Sequence, residues 1–271
     1  MHFMRIFAVG TALACALTIG WAQTAPAPAD SAETAMTTTL TQLEGAEEGI
    51  AEAREGLTPV DRGDVLMARR RFREAIEEYE DGLHATAVIY NKIGIAYQQL
   101  GDERSALQNY RKALEFDPSY SEAINNMGTV YYGRKNYKRA ISFYEQALEY
   151  APNSASTYSN LGSAYFGRKQ YDQAFEAYEK AISLNASIFD PSSAAGTILQ
   201  QRTVEERATY HYYLAKSYAK NGIIDRALDS IRRALEEGFT DKDKFRNDPE
   251  FKDMQDLEEF QALMALEPRV L

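Results

Sequence analysis

The sequence predicts an all-α chain, an α-solenoid of stacked antiparallel helix hairpins closed by a C-terminal helical cap. The first observation behind this is a 34-residue recurrence, in which Tyr90, Ile93-Gly94, Tyr97, Ala106, Tyr110, Ala113 and Pro118 return as Ile124, Met127-Gly128, Tyr131, Ala140, Tyr144, Ala147 and Pro152. A third copy runs through Tyr158, Leu161-Gly162, Tyr165, Ala174, Tyr178 and Ala181. The second is spacing: Tyr90, Ile93, Ala96, Tyr97 and Leu100 form one helical stripe, and Ala106, Leu107, Tyr110, Ala113 and Leu114 form another. The third is punctuation. Gly101-Asp102 makes a turn short enough to force antiparallel neighbours, while Asp117-Pro118 and Ala151-Pro152 end the second helix, because proline disfavours helical geometry in the residue before it.

At the N-terminus Arg5 precedes an uncharged run, Ile6 to Ala22, with no further charge until Asp30. Residues 1–22 therefore read as an export signal cleaved before Gln23, with small residues flanking Trp21; retention of residues 6–22 as an inner-membrane anchor is the alternative. Either way the sequence places the protein in the cell envelope, periplasmic or secreted in the first case. Cys15 does not make a lipoprotein signal, since the segment before it is very short and the residues after it stay apolar. Residues 23–57 read as a linker followed by an amphipathic helix from about Thr39, with Leu40, Leu43, Ala46, Ile50, Ala53 and Leu57 spaced three or four apart.

The solenoid is expected over residues 58–239, with regular copies at 87–120, 121–154 and 155–186. An outer copy precedes them through Gly63, Leu66, Ala75, Tyr79 and Gly82, with Pro59 in the leading place. Gly94 and Ala106 leave room where the two helices cross, and Tyr97 and Tyr110 fill the space beside them. Between Ala174 and Ala227 the interval grows to 53 residues, so 19 have been added before the last copy at 208–239. This insertion, 187–207, opens with the turn-rich Asp190-Pro191-Ser192-Ser193 and ends at a capping box, Thr203-Val204-Glu205-Glu206. It is either a loop on the binding face or a tolerated surface loop. Residues 240–271 read as a cap over the last open apolar face, with short helices starting at Asp248-Pro249 and Asp256.

The recurrence resembles the tetratricopeptide repeat family, whose pattern is W-x2-L-G-x2-Y, then A-x3-F, then P. Tyr or Ile stands for the leading Trp here, and Tyr for the Phe. The downstream outer copy keeps Leu214-Ala215, Tyr218, Ala227, Ile231 and Ala234, with His211 in the leading place. The tail, Ala-Leu-Glu-Glu-Gly-Phe followed by Asp-Pro-Glu-Phe and Phe-Gln-Ala-Leu, also resembles the one that closes many bacterial members, and with the N-terminal signal the chain reads as a bacterial exported member. The resemblance implies a right-handed superhelix of about five repeats whose first helices line a concave face.

Carried over copy by copy, it implies a partner-binding groove at Asn91, Asn125, Asn126, Tyr132, Asn160, Phe166, Tyr212 and Lys216, beside Lys92, Ile95, Gln98, Thr129, Ser163 and Tyr213. Asn126 and Asn160 are equivalent, and an amide there either grips an extended peptide backbone or bonds helix to helix. Tyr132 and Phe166 are likewise equivalent and would flank an apolar side chain. The Lys, Asn and Arg clamp by which some relatives hold a C-terminal carboxylate is not reproduced. The implied partner is another protein or peptide; a glycan held by Tyr132, Phe166 and Tyr212, or an envelope-assembly role through the insertion, are the rivals.

Chemistry points the same way. The net charge of -10, or -11 once Arg5 is removed, argues against nucleic-acid binding, and Arg69-Arg70-Arg71-Phe72-Arg73 reads as a solvated helix end at the first turn. No HExxH, CxxC, GxSxG or P-loop is present, so no enzyme, cofactor or metal is expected. Adjacent carboxylates such as Glu77-Glu78 and Glu205-Glu206 point about 100° apart on a helix and read as solvated faces. His211, among Tyr210, Tyr212 and Tyr213, reads as a packing residue.

Overall fold

The computed structural model describes residues 56–82, 86–190 and 203–266. The expected signal segment, the linker and amphipathic stretch up to residue 55, residues 191–202 of the insertion and His84 lie outside the described residues. Thr58–Leu271 forms one compact unit, distinct from Met1–Leu57.

Five hairpins follow one another: α1 Pro59–Ala68 with α2 Phe72–Asp81, α3 Ala87–Gln99 with α4 Glu103–Phe116, α5 Ser121–Gly133 with α6 Tyr137–Tyr150, α7 Ala155–Gly167 with α8 Tyr171–Leu184, and α9 Val204–Lys220 with α10 Ile224–Glu236. The described residues contain no strand, and none of their helices is long and apolar enough to cross a membrane.

Each first helix meets its second helix at a point where there is no room for a side chain. A Cβ on Gly63, Gly94, Gly128 or Gly162 would lie 2.3, 2.5, 2.6 or 2.6 Å from the ring of Tyr79, Tyr110, Tyr144 or Tyr178 respectively. These four tyrosines are fully buried. Their hydroxyls reach Asp64 (2.7 Å), Gln98 (2.7 Å), Thr129 (3.4 Å) and Ser163 (3.4 Å) on the first helices. The equivalent pair in the last hairpin is Ala215 and Ile231, both at 0 % exposure. There a smaller second-helix side chain admits the extra methyl.

The hairpin turns share one geometry. Two residues after the end of each first helix, Arg70, Gly101, Lys135, Lys169 and Gly222 take positive φ, from 58° to 78°. The next residue's N–H then donates to the last turn of that helix, as in Arg71 to Leu66 (2.9 Å), Asn136 to Tyr131 (2.9 Å) and Gln170 to Tyr165 (3.0 Å). This satisfies carbonyls that the helix end would leave open.

The first helix of the last hairpin starts inside the expected insertion, at Val204, because Thr203 and Glu206 form the capping box read from the sequence. At the other end of the insertion Asp190 is held back on α10 by Arg226, and Phe189 sits edge-on to Tyr178 (5.3 Å).

Beyond Gly238 the chain forms α11 Lys242–Asn247, a 3-10 helix at Pro249–Met254 and α12 Glu258–Ala265. Phe245, Phe251, Met254 and Phe260 are buried to 1 % exposure or less. They cover the last hairpin as a following repeat would. The short helix expected at Asp248-Pro249 starts there, as the 3-10 helix, whereas the one expected at Asp256 shifts. The last helix begins at Glu258 with Leu257 at its N-cap, not at Asp256, and Asp248 makes no cap bond because its carboxylate accepts from the Tyr212 hydroxyl.

Candidate partner-binding groove

The first helices of neighbouring repeats are tied by a ladder of amides. Asn126 Nδ2 donates to Asn91 Oδ1 (2.9 Å), and one repeat on, Asn160 Nδ2 donates to Asn125 Oδ1 (3.0 Å). Asn125 Nδ2 approaches Asn126 Oδ1 at 3.4 Å, joining the two rungs. Helix-to-helix bonding, one of the two roles open at the sequence level, is therefore what these four amides do in the free protein. Asn91 is buried, whereas Asn125, Asn126 and Asn160 remain half-buried. Because an amide has more donor and acceptor sites than one rung consumes, these three keep hydrogen-bonding capacity on the concave side.

The rest of the expected groove divides in two. Over repeats two to four it is small and polar: Thr129 accepts from Tyr144 and donates to the Asn125 carbonyl (3.2 Å), Gln98 accepts from Tyr110, and Ser163 is buried beside Tyr178. Tyr132 is half-buried with its ring 5.3 Å from Tyr137. Lys92 is spent on Asp64, which the Tyr79 hydroxyl also reaches.

Phe166 and Tyr212, by contrast, are core residues at 3 % exposure each. Phe166 lies against Tyr171 (5.2 Å), Tyr210 (5.9 Å) and Tyr213 (6.5 Å). Tyr212 is stacked on Phe239 (4.8 Å) and edge-on to Phe245 (5.3 Å), since the cap occupies the side that a sixth repeat would cover. Burial, then the Asp248 hydrogen bond, raise the Tyr212 hydroxyl above its ordinary pKa, which keeps it a neutral donor. Lys216 is likewise turned to the cap, 3.4 Å from both Asp248 and Glu250 and over the Phe175 ring (4.9 Å). The last repeat thus offers its groove positions to the chain's own tail.

A pocket of about 370 Å³ opens between the third and fourth repeats, lined by Ser121, Glu122, Asn125, Ala151, Pro152, Asn153, Ser154, Ser156 and Thr157. Its lining includes the ladder residue Asn125. Sequence reasoning took Ala151-Pro152 as punctuation and missed its walls; the signal was the polar run Asn153-Ser154-Ala155-Ser156 next to an expected groove position. Among the described residues no cluster of His, Cys, Asp and Glu is placed to hold a metal ion. His211 is buried at 6 % exposure, with Nδ1 unpartnered and Nε2 4.0 Å from Glu237. Burial first, then the Arg233 charge, push its pKa down to about 4.

Comparison with known proteins agrees with the repeat geometry. Models of the tetratricopeptide repeat match residues 121–154 and 155–187, and a second such model matches residues 60–119. Photosystem I assembly protein Ycf3 of Synechococcus elongatus is 30% identical over 80 residues, 30% of this chain and 46% of that protein. Its counterpart from Cyanophora paradoxa is 32% identical over 80 residues, covering the same shares. The chain thus spans less than half the length of these curated relatives. Among solved structures, MamA from Desulfovibrio magneticus is 23% identical with a TM-score of 0.44, covering 65% of this chain and 90% of that one. The chain carries tetratricopeptide repeats over residues 60–119, 121–154 and 155–187.

Proposed function

We propose that this protein is a non-enzymatic scaffold of the cell envelope that binds an extended segment of another protein along the first helices of repeats two to four. The observation that carries the reading is the half-buried amide ladder, Asn125, Asn126 and Asn160, running beside the pocket at Ser156. A surface of amides and hydroxyls with spare donors and acceptors fits a polypeptide backbone, which presents both along its length. That the curated relatives are named for assembly is in keeping with a scaffold role, and the stretch they share with this chain is about 80 residues. The envelope location rests on the uncharged run from Ile6 to Ala22 after Arg5.

A glycan site is less favoured, because burial of Phe166 and Tyr212 leaves Tyr132 as the one half-exposed member of the expected aromatic set. Ser156→Trp tests the groove: residue 156 is exposed, so the indole fills the pocket without entering the core. The expected result is an unchanged melting temperature with loss of partner capture in a pull-down from the native host. Retained capture would sink the groove reading.

A further inference from the structure

The shared turn geometry puts every first-to-second-helix turn on one edge of the solenoid. Glu103 in the second turn pairs with Arg134 in the third (2.6 Å), and a Cβ on Gly167 in the fourth would lie 2.8 Å from Tyr137 at the start of α6, beside the third turn, so the turns adjoin in sequence order. Although the chain carries a net charge of -10, this edge is basic. Arg69, Arg70 and Arg73 crown the first turn, Lys135 and Lys138 the third, and Lys169 the fourth. All six are exposed, and none makes an ion pair among the described residues. The opposite edge, where second helices run into the next repeat, carries exposed Glu80, Asp81, Glu115 and Glu149. The two edges are separated by a helix of 13 or 14 residues, about 20 Å, which exceeds the Debye length of about 8 Å at physiological salt. A surface facing the basic edge is therefore screened from the acidic one.

We propose that this edge docks on an anionic phospholipid surface. Its cations stand on the tips of the first, third and fourth turns, on long, flexible stems. A flat charged plane engages such tips together, whereas a peptide carboxylate or a phosphate group needs a convergent cradle. Leu100, 40% exposed, projects from the second turn between the two cation clusters, where an apolar side chain suits a headgroup layer and not a nucleic-acid backbone. The concave groove lies on the first-helix face and stays open to a partner when the edge is docked.

The test is co-sedimentation of the exported protein, from Gln23 onward, with phosphatidylglycerol-containing vesicles and with pure phosphatidylcholine vesicles. The triple variant Lys135→Glu, Lys138→Glu, Lys169→Glu and the acidic-edge variant Glu115→Lys, Glu149→Lys are run beside it, with circular dichroism confirming the fold. The proposal expects binding to the anionic vesicles alone, loss in high salt, and at least a tenfold weaker partition for the triple variant. The acidic-edge variant should bind at least as well as the parent. Equal binding to neutral vesicles, no loss in the triple variant, or capture of duplex DNA without vesicle binding would each overturn it.

Discussion

At the scale of single residues, the fold rests on a contact in which four tyrosines lie on four glycines. A methyl group at Gly128 would stand 2.6 Å from the Tyr144 ring, so Gly128→Ala should destabilise the protein by about 1–3 kcal/mol in urea unfolding, even though alanine is the better helix former. The Ala215 and Ile231 pair shows how the conflict is relieved. Gly128→Ala combined with Tyr144→Ile should therefore cost less than the sum of the two single changes, by at least about 0.5 kcal/mol. Additive costs would show that the contact is not what sets these residue types. The turns make a second prediction at this scale. Lys135 holds a left-handed conformation that disfavours a side chain, so Lys135→Gly should raise stability by about 0.5 kcal/mol, the relieved strain being partly offset by glycine's entropy. Much of this was legible in the sequence. The large, small and aromatic residues held in register forecast where the helices touch, and Thr203 with Glu206 forecast the start of α9. The exposure of Phe166 and Tyr212 was not legible. They sit on the edge of a helical stripe, and whether that edge faces solvent depends on residues well beyond their own helix, Tyr210 for Phe166 and Phe239 for Tyr212.

At the scale of elements, the last hairpin differs from the regular ones in being joined to a cap and in burying a histidine. His211 on α9 faces Arg207 on its own helix, Asp229 and Arg233 on α10, and Glu237 at the C-cap of α10. Its folded pKa lies below the unfolded value of 6.5, so the unfolded chain binds the proton more readily. The stability this gives is intact above pH 6.5 and is lost as pH falls towards about 4, on the order of 3 kcal/mol in all. Unfolding followed from pH 7 to pH 4 should show that slope, and His211→Gln should flatten it; an unchanged slope would assign it to other groups. The cap is the second feature of this region. Tyr212→Phe deletes the hydroxyl that reaches Asp248, so a half-buried acceptor loses a donor, and the expected cost is about 1 kcal/mol without change in helix content. The sequence showed that a cap must exist, but not that it would claim Tyr212 and Lys216. That claim depends on Asp248, read from the sequence only as the start of a helix, and on Glu250, to which the sequence assigned no role.

At the scale of the whole molecule, three surfaces are set apart by the repeat itself: a polar concave face over repeats two to four, a basic edge of turns, and a C-terminal end closed by its own tail. The constant residues build the frame, and the residues left free by the period differ from face to face. Fold alone does not fix a partner, so the account stands or falls on where a partner touches. The most direct measurement is site-specific photo-crosslinking in the native host, with a benzophenone side chain placed at Ser156 in the groove pocket or at exposed Ser142 on a second helix. The expected result is a discrete adduct with a second polypeptide from position 156 and none from position 142. Adducts from position 142 alone, or none from position 156 while the partner still co-purifies, would contradict the groove.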